Sequence, residues 1–309
     1  MKPSKHFEPH PDTLWLHLRE LPYFRALMRA VEASFYPDLT LPEPTLDVGC
    51  GDGHFVTVAF QRQIEVGIDP ALNSLKEAAR RGGYARLYQA DGARLPFPND
   101  YFASGMSNSV LEHILHVEAV LHEIQRVLQP GAPFVFCGPN PRFLDALSIS
   151  NLLDRLRLKP LGDRYRAFFN RISRHYNSDS TEVWGDRLAK AGFSLDRCWT
   201  YYAPDALQVT EWGHYFGVPA LFWRLTTGRW ILAPERWNLW LTESYTRRHF
   251  RPGPIPRAFA PSMSPIKTER ECFIIKLYGR AQRSRLSQIE TEPLETRTAG
   301  PARRAAESW

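Results

Sequence analysis

The stretch Leu46-Asp47-Val48-Gly49-Cys50-Gly51-Asp52-Gly53-His54-Phe55 limits what this chain can fold into more than any other. A short apolar strand runs into three glycines at alternating positions, and the chain then reads as a helix. Such a turn leaves backbone N–H groups and a helix N-terminus facing one small space, where a polar ligand can approach without meeting a β-carbon. Strand, glycine turn and helix together are the opening unit of a doubly wound α/β sheet with a nucleotide-type cofactor site. Two glycine patterns serve such sites. In the dinucleotide pattern G-x-G-x-x-G/A the third small residue lets helix and strand pack closely, and counted from Gly49 and Gly51 that slot falls on His54. The pattern that the chain does satisfy is Asp-x-Gly-x-Gly-x-Gly, with Asp47 inside the strand.

The residues that follow keep the same plan. Residues 53–61 read as a helix, 64–69 as a second strand ending on Asp69, 71–81 as a helix stopped by Gly82-Gly83, and 85–90 as a third strand ending at Asp91-Gly92. Asp69 lies 18 residues beyond Gly51, close to the spacing at which a carboxylate takes both hydroxyls of a ribose. A turn aspartate ahead of Pro70 is the other reading. A fourth strand over 103–108 ends at Asn108, and Ser109 to Ile114, with Glu112 and His113, reads as the opening of a helix. The next helix, 117–128, runs to Gln129-Pro130-Gly131, and a fifth strand covers 132–138. Parallel strands with polar ends at one edge form a ligand crevice there.

After the third strand the chain reads Asp91-Gly92-Ala93-Arg94-Leu95-Pro96-Phe97, and before the fifth Leu128-Gln129-Pro130-Gly131-Ala132. With the glycine turn, these landmarks resemble the class I S-adenosylmethionine-dependent methyltransferases, specifically the small-molecule, type 11-like group, over residues 45 to about 140. The one departure is Ala132 where the family commonly has glycine. The resemblance implies S-adenosylmethionine as cofactor. Backbone at Gly49 and Gly51 would hold it, Asp47 would shape the methionine pocket, Asp69 would take the ribose, Asp91 and Gly92 the adenine, and Asn108 would lie near the methionyl end. Dinucleotide oxidoreductases have no counterpart of the Asp91 element. The resemblance also implies a Rossmann-like α/β fold, doubly wound, with a seven-stranded sheet whose last strand is antiparallel. Residues 180–192 would be its late helix, 195–202 its sixth strand and 272–278 its last.

Domain organisation follows from that assignment. The resemblance implies an N-terminal helical lid over residues 1–44, with plain packing on the core as the other reading; 45–202 with 269–280 are expected to be the methyltransferase domain, 203–268 a Trp-rich insertion and 281–309 a disordered tail. In the first of these, apolar residues from Leu14 to Phe35 recur at steps of three and four, which predicts one amphipathic helix or two interrupted at Pro22. His113 is the candidate general base, with a packing role for Glu112-His113 as the alternative. Leu-Glu-His also resembles a metal-linked motif of quinone-pathway O-methyltransferases, but the glutamate expected three residues before Glu112 is Ser109, and His113 with His116 makes no complete ligand set. No metal is expected.

Charge and cysteines bound the partners and compartment. The net charge of +6 comes from 39 basic against 33 acidic side chains, a solvated surface more than a nucleic-acid face. No nucleic-acid partner is expected. Cys50, Cys137, Cys198 and Cys272 show no C-x-x-C and read as buried thiols. Without a signal-type h-region or a spanning segment, the expectation is a cytoplasmic protein. Two segments fall outside the common plan. Residues 151–175 carry seven Lys or Arg against Asp154 and Asp163 on an apolar background, and the insertion holds Trp212, Trp223, Trp230, Trp237 and Trp240. Each reads either as packing or as a surface for a hydrophobic, anionic or lipid-like acceptor, with peripheral membrane contact.

Overall fold

The structure is a computed structural model; it describes residues 13–18, 20–21, 23–201, part of 204–212, and 273–280. Two N-terminal helices, α1 (Thr13–Leu18) and α2 (Tyr23–Ala33), lead to β1 (Thr45–Val48). Then come α3 (His54–Ala59), β2 (Ile64–Asp69), α4 (Leu72–Arg81), β3 (Tyr84–Gln89) and β4 (Ser104–Asn108). After β4 the chain forms α5 (Val117–Val127), β5 (Pro133–Pro139), α6 (Arg142–Asp145), α7 (Ser148–Arg155), α8 (Lys159–Ser173), α9 (Thr181–Lys190) and β6 (Phe193–Tyr201). The strand β7 (Phe273–Arg280) is the last described element.

β1 to β5 form a parallel sheet in the order β3-β2-β1-β4-β5, so the chain direction of winding reverses between β1 and β4. Ligands bind α/β sheets at that reversal, outside the carboxyl ends of the strands. Beyond β5 lie β7 and then β6, with β7 antiparallel to both neighbours. All four residues of β1 are buried, as a strand covered on both faces must be. Alternation sorts the side chains between two cores. Met106, Val135 and Cys137 face the layer with α2, α3, α4 and the 3₁₀ turn at Tyr36, whereas Leu46, Val48, Phe134 and Phe136 face α5 and α9.

Local signals explain the helix ends. Gly82 closes α4 in the left-handed conformation with φ 71°, and the Ser180 side chain caps α9 by accepting from the Val183 N–H. Residues 13–33 form two helices, and the stretch 151–175 forms the hairpin α7–α8. Glu211, fully buried, accepts hydrogen bonds from the Ser148 and Ile149 backbone N–H groups and from the Tyr165 hydroxyl, which ties the start of the 203–268 segment to α7 and α8. Cys50, Cys137 and Cys198 are buried free thiols. Cys272, the tail 281–309 and Trp223, Trp230, Trp237 and Trp240 lie outside the described residues.

One expectation fails at the end of β4. Glu112 and His113 sit on a single 3₁₀ turn, Leu111–His113, and the true helix α5 begins only at Val117. The cause is competition for carbonyls. Asn177 donates its side-chain amide to Leu111 O and Ile114 O, and the Tyr176 and Asn177 backbone N–H groups both donate to Glu112 O. The acceptors that would continue a helix are thus already taken.

Candidate active site

The glycine turn is fastened to the end of β2. Gly49 and Cys50 both donate their N–H to Ile68 O at 2.9 Å, and the Asp69 carboxylate accepts from Gly51 N–H at 3.0 Å and from Ala71 N–H at 2.8 Å. Gly49, Gly51 and Gly53 have φ of 81°, 54° and 75°, a region in which a β-carbon is strained. The space around them differs. A Cβ at Gly49 would lie 2.5 Å from Val110 Cγ1, whereas one at Gly51 would meet nothing within 4 Å. Gly51 therefore borders open crevice, where a ligand can approach the backbone without meeting a β-carbon. The third slot of the dinucleotide pattern, His54, is buried, and its Nε2 lies 3.1 Å from His17 Nδ1 of α1. The imidazole takes part in docking α1 onto the turn.

The ends of β2, β3 and β4 bring Asp69, Asp91-Gly92 and Asn108 to the same edge. Asp91 is exposed and folds an aspartate turn, its Oδ1 accepting from Ala93 N–H at 2.9 Å. The loop after it is pinned from α5. Arg126 donates to Leu95 O, Phe97 O and Asn99 Oδ1 and pairs with Glu123, which itself accepts from Leu95 N–H at 2.7 Å. Asp47, in contrast, is a buried carboxylate. It is 4% exposed and accepts from the Tyr84 hydroxyl at 2.6 Å, and burial raises its pKa to about 7.

Asn108 is held on all sides. Its amide NH₂ donates to Glu32 of α2 at 2.7 Å, and its oxygen accepts from Tyr36 at 3.1 Å and from the Cys137 thiol at 3.1 Å. Glu32, fully buried, also accepts from Ser109 and Tyr201 and pairs with Arg29 at 2.6 Å. This carboxylate joins α2, β4 and β6 beside the crevice. Sequence reasoning missed it, although it occupies an apolar phase of α2, four residues after Met28 and four before Tyr36.

Beside this hub the 3₁₀ turn brings Glu112 and His113 to His175, which follows α8. Each of the three offers a metal-ligand atom within 4.8 Å of the others. His113 is half-exposed; its Nδ1 lies 3.0 Å from Arg174 O and its Nε2 3.8 Å from Glu112 Oε1. Glu112 is 2% exposed, with one carboxylate oxygen unpartnered, and burial raises its pKa to about 8. Burial lowers that of His175 to about 4. No periodicity in the sequence links His175 to Glu112. The raised carboxyl has a thermodynamic signature. The unfolded chain ionises at the usual pKa near 4.5 and the folded one only near 8, so stability falls as pH rises through that window and levels off above it. Glu112→Gln is expected to flatten this decline by on the order of 3 kcal/mol in chemical denaturation across pH 5 to 8. Equal slopes for both proteins would show that Glu112 is ionised in the fold.

The glycine turn, the Asp91 loop and all but the outer ends of the parallel sheet fall inside residues 46–136, and over those residues the chain matches the family described as Methyltransferase domain. Residues 46–136 are a methyltransferase domain. Relatives of the domain include a malonyl-[acyl-carrier protein] O-methyltransferase of Halorhodospira halophila, 30% identical over 158 residues, covering 49% of this chain and 48% of that protein. A fatty-acid O-methyltransferase of Mycolicibacterium smegmatis is 28% identical over 151 residues, covering 47% of this chain and 55% of that protein. The chain thus spans about half the length of the curated relatives it matches. Among solved structures, a methyltransferase from Thermotoga maritima superposes with a TM-score of 0.48 at 15% identity, covering 87% of this chain and 92% of that one. The matched residues 46–136 contain the glycine turn and the Asp69, Asp91 and Asn108 strand ends, whereas Glu32 and His175 lie outside them.

Proposed function

We propose that the protein transfers a methyl group from S-adenosylmethionine to a small or lipid-like acceptor, with a carboxylate or hydroxyl on an apolar body as the receiving oxygen. The open space at Gly51, beside Asp69 and at the strand edge that Asp91 shares, is the observation that carries the cofactor half. The names of the relatives, one acting on a malonyl-carrier protein and one on fatty acids, support the acceptor half. The sulfonium carbon is already a strong electrophile, so the protein's part is alignment and exclusion of water. Backbone at Gly49 and Gly51 and the side chains of Asp69 and Asp91 would hold the cofactor, Gly92 would leave room for the adenine, and Asn108 would border the methionyl end with Asp47 supporting the turn from below. For an alcohol acceptor we assign the general-base role to His113 Nε2; a carboxylate is anionic at neutral pH and needs no base. We also read β7 and β6 as the antiparallel closing edge of the family's seven-stranded sheet, and residues 1–44 as its lid.

The test is calorimetry with S-adenosylmethionine and NAD, followed by methyl transfer from labelled cofactor to long-chain carboxylates and alcohols. Micromolar binding of the first nucleotide and none of the second is expected. Asp69→Ala should weaken it by roughly 1.5–3 kcal/mol, because a charged acceptor for the ribose hydroxyls is lost. Unchanged affinity would reduce Asp69 to a turn residue, and binding of NAD alone would overturn the reading. Product from any acceptor separates an enzyme from a protein that only binds the cofactor.

A further inference from the structure

The hairpin α7–α8 carries a surface that the methyltransferase domain does not use. Its helices approach closely at Gly162, where a Cβ would lie 2.6 Å from Asp154 Oδ1 and 3.2 Å from Ser150 O. The bend between them reads Arg155-Leu156-Arg157-Leu158-Lys159-Pro160-Leu161, and all seven residues are exposed. Leu156 is 60% exposed, Leu158 44% and Leu161 47%, with Leu152 at 56% one turn earlier. Four leucines do not stand in water on a packed hairpin for the sake of the fold. The charges around them are equally unbalanced. Arg166 takes both acids of the segment, Asp163 at 2.9 Å and Asp154. Among the described residues Arg155, Arg157, Lys159, Arg164 and Arg171 then have no side-chain partner.

We infer that this bend docks the protein onto a bilayer that presents anionic headgroups. Cations alternating with leucines at a projecting tip match such an interface on both counts: the guanidinium and ammonium groups meet the headgroups, and the leucines enter the acyl boundary. No acid of the segment opposes them. The placement serves the crevice. α8 runs from Lys159 to Ser173, roughly 22 Å at 1.5 Å per residue, and the next carbonyl, Arg174 O, meets His113 at 3.0 Å. One helix therefore separates the bend from the candidate active site, so an acceptor with an apolar body is drawn from the surface on which the protein sits. Among the described residues no helix is long and apolar enough to cross a membrane, and docking of this kind requires none.

The full chain is sedimented with neutral phosphatidylcholine vesicles and with vesicles containing about 30% phosphatidylglycerol, at about 50 and about 300 mM salt. Binding to acidic vesicles that weakens with salt is expected. R155A/R157A/K159A should weaken it about 100-fold, from the loss of three charges near the surface. L156S/L158S/L161S should weaken it about tenfold and remove what persists at high salt. Cofactor affinity of both variants, measured by calorimetry, should match the wild type, which shows that they fold and keeps this test separate from the methyltransferase reading. Wild-type protein that stays in the supernatant overturns the inference. So does vesicle binding that neither variant alters, or a bend that binds an acidic carrier protein and no vesicle.

Discussion

Glu32→Ala is expected to cost the fold about 4 kcal/mol, the largest loss from any single side chain beside the crevice. The carboxylate is fully buried and accepts from four groups, the Arg29 guanidinium, Asn108 amide, Ser109 hydroxyl and Tyr201 hydroxyl, at 2.6 to 3.0 Å. Removing one partner of a buried ion pair costs about 3–5 kcal/mol, because the remaining charge is left without compensation. Here three neutral donors are stranded with it. Urea denaturation of the two proteins reads the difference directly. Glu32→Gln keeps the shape and acceptor oxygen but not the charge, and should fall between them. A loss below about 1 kcal/mol for the alanine variant would mean that α2 repacks or that water replaces the carboxylate. Because Asn108 and Ser109 close β4 at the ligand edge, the same variant should also bind the cofactor more weakly.

Gly49→Ala is the second large effect, and it acts on the site more than on the whole fold. Two obstacles add up at this position. Its φ of 81° is one that alanine adopts only with strain, and the new methyl would lie 2.5 Å from Val110 Cγ1 and 2.7 Å from Cγ2. Valine is branched at Cβ and cannot swing both methyls aside. The turn must shift, and with it the backbone at Gly51 and the Asp69 carboxylate that the Gly51 N–H holds. We expect a stability loss of about 3 kcal/mol and at least about a 100-fold loss of S-adenosylmethionine affinity. Gly49→Ala combined with Val110→Ala relieves the contact but not the dihedral, so it should recover only part of both. Full recovery would assign the whole effect to the contact, and no effect in the single variant would show that the turn is plastic.

The glycine turn, the strand ends and the loop at Asp91 were legible because each is written in a short run of residues whose backbone demands are specific. From β1 to β5, the Ser109–Ile114 stretch apart, and again at α9 and β6, element ends fall within about two residues of expectation for the same reason. What could not be read is what depends on distant segments meeting. Glu112-His113 looks like a helix start until Asn177, more than 60 residues later, takes the carbonyls of that turn. His175 reaches Glu112 only because α8 returns the chain to β4. Asp47 shows the opposite difficulty: its position in the motif is plain, but whether its carboxylate is open or buried depends on Tyr84, a residue of another strand. The basic stretch 151–175 read as one amphipathic run; Gly162, which lets α7 fold back against α8, is what turns it into a hairpin with an exposed tip.

The Arg126 side chain bears on how the site meets its ligand. By fastening Leu95, Phe97 and Asn99 to α5, it fixes the loop beyond Asp91 in the folded protein itself. A loop already ordered loses no conformational entropy when a ligand settles against it. The Asp91 side of the crevice is then ordered before a ligand arrives. Folding and affinity are thereby coupled through one guanidinium: a change that releases the loop lowers both together, and a change that weakens cofactor binding without touching stability must lie elsewhere along the strand ends.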